Sequence, residues 1–167
     1  MIGSVDDDSA TLKAHRTLSV RMGTIEDLNT LLADEYVHLV RTLSFHWNVT
    51  GPRFLDLHAY FEELYNETKD AIDEHAERIR MLGGTPLSSM ARFIEDAHLS
   101  ELEDARLDPD RMVSALIDDR EHLLEDLKRF AAAAAQRDEP TDEDYFVGRA
   151  RDIELSLYKL RSIAKKV

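Results

Sequence analysis

The sequence contains no cysteine, and only six glycines, four prolines and one tryptophan among its 167 residues. Without cysteine there is no disulfide, no thiol nucleophile and no thiolate metal ligand, so any metal must be held by nitrogen and oxygen donors. Long apolar runs are also missing. No stretch free of Asp, Glu, Lys and Arg is longer than that from Thr42 to Pro52, against the roughly 20 predominantly apolar residues that a membrane-spanning helix needs. The opening residues, Met1-Ile2-Gly3-Ser4-Val5-Asp6-Asp7-Asp8, lack a basic patch followed by an apolar segment. No export signal is therefore expected, and the cytoplasm is the expected location. Asn48-Val49-Thr50 and Asn66-Glu67-Thr68 fit the glycosylation pattern, and without an export signal both are read as chance. Positive charge is scarce: 21 Lys and Arg face 34 Asp and Glu, a net charge of −13. Duplex binding normally needs a basic surface that displaces counterions from phosphates, so this balance argues against it. It suits attraction of cations, and a solvated acidic surface accounts for it equally well.

The length fits one domain. Gly and Pro punctuate the chain at Gly23, Gly51-Pro52, Gly83-Gly84-Thr85-Pro86, Pro109 and Pro140. Thr24-Ile25-Glu26-Asp27 reads as a helix start close to a capping box, and Ile25, Leu28, Leu32, Tyr36, Leu39 and Leu43 continue from it at steps of three and four. This predicts a first helix over about 24–49, with residues 1–23 as a tail or short docked segment. A second helix follows Gly51-Pro52 on Phe54, Leu57, Phe61, Leu64, Ile72, Ile79 and Leu82 and stops at Gly83-Gly84. Ser89 to His98 suits a short connecting helix. Asp108-Pro109 opens a third long helix to about 136, and Thr141-Asp142-Glu143-Asp144 opens a fourth to about 164. The prediction is an all-α chain: residues 24–167 as a four-helix bundle, with a short extra helix in the long connection between helices two and three.

Single residues say little about chemistry. His46 continues an apolar stripe, where a lone histidine is more often a hydrogen-bonded core residue than a ligand. His58 and Glu62, and likewise Asp73 and Glu77, are one turn apart on the second helix, and each pair alone suits a solvated face. The spacing changes the odds. Glu62 and Asp73 point within about 20° of each other but lie about 16 Å apart along the axis, so one helix cannot bring both pairs to one metal. Two copies packed antiparallel about a dyad near Tyr65–Lys69 would set His58 opposite Glu77 and Glu62 opposite Asp73, twice over. In a hairpin turning at Gly51-Pro52, His46 joins His58. Two imidazoles and three carboxylates would then converge between subunits, a donor set that suits Fe(II), and also Mn, Co or Zn. Trp47 would be a packing aromatic or a neighbour of that site.

His46-Trp47-Asn48-Val49-Thr50-Gly51, Phe54, Leu57-His58, Phe61-Glu62, Asp73, Glu77-Arg78 and Leu82-Gly83-Gly84-Thr85-Pro86 resemble the Dps family of mini-ferritins. The resemblance implies a ferritin-like subunit, a hollow homododecamer, and iron sites between two-fold-related subunits. His46, His58 and Glu62 would come from one subunit, and Asp73 and Glu77 from its partner. It implies a ferroxidase that oxidises Fe(II), usually with hydrogen peroxide rather than dioxygen, stores Fe(III) inside and protects against oxidative damage. Many members have Asp where this chain has Glu62, and many bind DNA through a Lys-rich tail that this chain lacks. DNA binding is expected to be weak or absent, with Lys165-Lys166 the one feature favouring it. Asp118, Asp119, Glu121, Glu125 and Asp126 suit either an acidic entry pore or a solvated face. Glu63 and Glu67 suit either a mineral-nucleating surface or pairing with Lys69 and other surface cations. Three competing readings are an assembly protein with no metal chemistry, a DNA-compacting shell, and a di-iron bundle with its centre inside one subunit. The di-iron bundle would use Glu35-Tyr36-Val37-His38 and the imperfect Asp119-Arg120-Glu121-His122.

Overall fold

A computed structural model describes residues 6–102 and 106–164, with side chains from Arg21 onward. Five helices follow in order: α1 (Asp6–Asn48), α2 (Phe54–Met81), α3 (Met90–Asp96), α4 (Pro109–Gln136) and α5 (Pro140–Ala164). Among the described residues there is no strand, and no helix is long and apolar enough to cross a membrane. α1 pairs with α2 and α4 with α5 as two hairpins, and α1 also packs against α3 and α4.

The helix ends follow local chemistry. α1 turns into α2 through Gly51 (φ 96°), and the Phe54 amide donates to the Gly51 carbonyl at 3.0 Å. α2 stops in a Schellman turn: Gly83 takes φ 85°, its amide donates to Arg80, and the Gly84 amide donates to Ile79 at 2.9 Å. Asp108 caps α4 by accepting from the Asp110 and Arg111 amides, each at 3.1 Å, with Pro109 as the first helical residue. α3 is tied to α1 by Phe93, whose ring stacks on Tyr36 at 3.9 Å.

Two expected starts are corrected. α1 begins at Asp6, not near residue 24, and Thr24 lies inside it, fully buried. The Thr24 hydroxyl and the Asp27 carboxylate instead accept from Arg137, at 2.9 and 3.1 Å. A cap-like quartet thus serves as a polar contact between α1 and the α4–α5 turn. Asp142, expected in a cap, is buried and ion-paired to Arg78 of α2.

Two apolar clusters fill the bundle. One contains Leu28, Leu32, Ile79, Leu127, Phe146 and Leu157; the other contains Phe45, Leu57, Phe61, Leu64, Leu116 and Leu160. Along α1, Glu35, His38 and Thr42 fall between them, all buried. The predicted α1 stripe is therefore only partly core. Leu28 and Leu32 face the interior, whereas Tyr36 and Leu39 are half-buried and line a groove.

Candidate metal centre

His46 lies in the last turn of α1 and His58 early in α2, so the hairpin brings them face to face. Their rings stack with centroids 3.8 Å apart and planes 20° from parallel. The Nδ1–H of His46 donates to the carbonyl of His58 at 2.9 Å, and the Nδ1–H of His58 donates to the carbonyl of His46 at 2.8 Å. A carbonyl can only accept, so the hydrogen of each neutral ring sits on Nδ1 and each Nε2 keeps its lone pair. A backbone acceptor on one ring nitrogen is how proteins commonly orient a histidine whose other nitrogen binds metal. Tyr65 meets the His46 ring edge-on at 5.3 Å and donates its hydroxyl hydrogen to Glu62 Oε1 at 3.2 Å. This link was missed in the sequence, although the three-residue step from Glu62 to Tyr65 on one helix face was visible.

One end of the α1–α2 hairpin thus collects His46, His58 and, through Tyr65, Glu62. Asp73 and Glu77 stay apart. Both are exposed on α2, and Asp73 lies eleven residues beyond Glu62, about 16 Å along the axis. Asp73 also lines a groove of about 560 Å³ with Leu32, Tyr36, Leu39, Ile72 and Ala76, an apolar trough beside exposed carboxylates. Trp47, beside His46, is 70% exposed and so does not serve as packing within its own chain.

The bundle centre is built differently from a metal site. Glu35 is buried between two guanidinium groups, Arg120 and Arg149, each 3.7 Å from Oε1. Arg120 is itself buried and donates to Thr68 Oγ1 at 3.0 Å. His38 donates from Nδ1 to Asp119 at 2.9 Å, and Arg41 also pairs with Asp119. Burial holds the His38 imidazole neutral, well below its usual pKa, and the charges of Arg120 and Arg41 push in the same direction. Cations already fill the place where an intra-subunit di-iron centre would need open carboxylates. His122 belongs to neither of these pairs; its ion-pair partner is Asp126, 3.8 Å away.

The chain matches the Ferritin family, a ferritin-like domain, over residues 25–167. It is 36% identical over 138 residues to DNA protection during starvation protein 2 of Bacillus anthracis, covering 83% of this chain and 94% of that protein. A low temperature-induced protein of Nostoc is 38% identical over 145 residues, covering 85% of this chain and 80% of that one. Among solved structures, the Dps protein from Bacillus brevis superposes with a TM-score of 0.84 at 31% identity, covering 88% of this chain and 98% of that one. The chain belongs to the Dps family.

The remaining acids of this Dps chain divide in a way that the sequence did not predict. Of the five acids on the third long helix, α4, Asp119 and Asp126 are buried and paired, Asp126 with Arg129 at 2.8 Å, and so leave the supposed acidic face. Glu121 pairs with Arg161 at 2.7 Å, while Asp118 and Glu125 are exposed. Glu63 and Glu67 pair with a surface cation, as one of the two readings has it, but the cation is Lys159 of α5, at 2.5 and 3.8 Å. Lys165-Lys166 lie outside the described residues.

Proposed function

We propose that this Dps protein is a ferroxidase and iron store, with each iron site shared by two copies of the chain in a hollow homododecamer. His46, His58 and Glu62 of one copy, with Asp73 and Glu77 of its two-fold partner, hold Fe(II) as substrate. The reading rests above all on the stacked pair of His46 and His58. Each donates through Nδ1 to the other's carbonyl and keeps a free Nε2 at a half-buried, open end of the hairpin. Two imidazole nitrogens and carboxylate oxygens suit Fe(II), and the carboxylates favour the harder Fe(III), so binding assists oxidation. The apolar groove beside Asp73 is the surface on which the partner's α2 would lie, bringing distant carboxylates to the imidazoles.

Hydrogen peroxide is the proposed oxidant. It takes one electron from each of two Fe(II) ions, its O–O bond breaks, and both oxygens end as water or hydroxide without a free hydroxyl radical. The Fe(III) then hydrolyses and collects inside the shell, which protects the cell from peroxide and iron together. At −13 per chain the shell repels phosphates, so plasmid should migrate unshifted beside it at ordinary salt. The decisive experiment is stopped-flow Fe(II) oxidation with peroxide and with dioxygen, run beside a mass measurement of the assembly. The expected result is rapid oxidation by a twelve-chain particle, with His46→Gly/His58→Gly assembled but at least about ten-fold slower. Equal rates in parent and variant would overturn the assignment.

A further inference from the structure

A second group of metal-binding side chains lies where α1, the residues after α3, and α4 meet, and it uses none of the five residues above. Asp34 on α1 is fully buried. Its Oδ1 accepts from the backbone amides of His98 and Leu99, at 2.7 and 2.8 Å, but its Oδ2 has no hydrogen-bond partner. His122 Nε2 on α4 is likewise buried and without a hydrogen-bond partner. A carboxylate oxygen left bare in the interior is costly, and such an atom asks what it is there to meet. Burial pushes the Asp34 pKa up, and the two backbone amides pull it back.

The two bare atoms share a space with two further donor atoms. Asp34 Oδ2, His98 Nδ1, His122 Nε2 and an Asp126 oxygen all lie within 4.8 Å of one another. His98 Nδ1 donates to Asp126 Oδ2 at 2.9 Å, a proton that an ion would replace; it is 4.0 Å from Asp34 Oδ2, and His122 Nε2 is 3.8 Å from Asp126 Oδ2. Ligands about 2.0–2.1 Å from a tetrahedral ion are roughly 3.3–3.4 Å apart, a value that these separations bracket. The outer contacts are in place too: Asp34 Oδ1 is held by two amides, and Asp126 Oδ1 accepts from Arg129 at 2.8 Å. The His98 and His122 rings stand 85° apart, and the His98 side chain is 45% exposed, which leaves an entry path from solvent.

We propose that Asp34, His98, His122 and Asp126 form a four-coordinate site for a divalent cation of the zinc class, which staples the α3–α4 connection to α1 and α4. Two carboxylates and two neutral imidazoles balance a dication locally, and four protein ligands leave no open position for turnover. The site is therefore structural. The bound ion would hold the chain leaving α3 at His98 against both long helices.

The test uses the full-length assembled protein, stripped with chelator, in a His46→Gly/His58→Gly background that removes the other imidazoles. Zn(II) titration by calorimetry should find one ion per chain, and Co(II) should give the intense visible bands of a tetrahedral site. His122→Gln alone should weaken binding about ten- to a hundred-fold. Adding Asp34→Asn should abolish the Co(II) bands, with circular dichroism and particle mass unchanged. Zn(II) should also raise the melting temperature of the background protein but not of the His122→Gln variant. Absence of a one-per-chain site in the background protein, or equal affinity after His122→Gln, would overturn the proposal. His122→Gln is half-exposed and leaves the Asp34 backbone contacts intact, so this reading survives even if the Asp34 variant fails to fold.

Discussion

Two defective variants should repair each other if the iron ligands come from different copies of the chain. His46→Gly/His58→Gly keeps Asp73 and Glu77; Asp73→Asn/Glu77→Gln keeps both imidazoles and Glu62. Alone, each variant spoils both sites at every dyad, and oxidation should fall at least about ten-fold. In shells dissociated, mixed in equal amounts and reassembled, about half of the dyads would pair one chain of each kind. Such a dyad has one complete site and one lacking all four altered ligands, because an isologous interface makes its sites in pairs. About a quarter of all sites would then be whole, and the mixed shells should recover about a quarter of the parent rate. The roughly 16 Å between Glu62 and Asp73 along α2 is what forbids repair within one chain, since ligands of one ion lie only a few ångströms apart. The assay is stopped-flow absorbance of the ferric product, with native mass spectrometry verifying that both chains share one particle. Mixed particles no faster than the mean of the two variants would refute the shared site.

Three further outcomes follow from the interior. Arg120→Met leaves buried Glu35 with Arg149 alone, so denaturant unfolding should show a loss of about 3 kcal/mol with Fe(II) oxidation unchanged; a loss below about 1 kcal/mol would refute the ionic account. His75 is buried against the Tyr145 hydroxyl at 2.6 Å, and its pKa falls to about 3 because burial disfavours the charged ring and Arg149 repels it. The unfolded chain gains that proton near pH 6.5, so stability is full above that pH and falls by about 1.4 kcal/mol per unit below it, down to about pH 3. His75→Gln should therefore lose about 2 kcal/mol less than the parent between pH 7 and pH 5, measured by guanidinium midpoints. Gly84→Ala would put a Cβ 2.9 Å from Ile25 Cδ1 and 3.0 Å from Ile79 Cγ2, costing about 1–3 kcal/mol of thermal stability, which Ile25→Ala should partly restore.

Much of the fold could be read from the sequence because its punctuation is local. Asp108-Pro109 and Gly83-Gly84 act on their own neighbours, and both ends fall where expected. Thr24 misled for the same reason: a cap and a buried contact to a distant arginine use the same side chains, and Arg137 is 113 residues away. The pairing of His46 with His58 could also be read, as equal distances from one turn. Their reciprocal carbonyl bonds could not, since backbone acceptors leave no mark in side-chain pattern. Asp119 and Asp126 counted as surface acids because nothing in their spacing marks the cations that bury them.

The guanidinium of Arg120 has a consequence for when this protein becomes functional. A buried carboxylate that waits for a metal leaves uncompensated charge in the apo chain, a cost that only the ion removes. Here the counter-charge is covalently part of the chain, so Glu35 is neutralised at synthesis. If the chain stores iron as proposed, an iron-starved cell could therefore stock finished, empty shells ahead of the next influx.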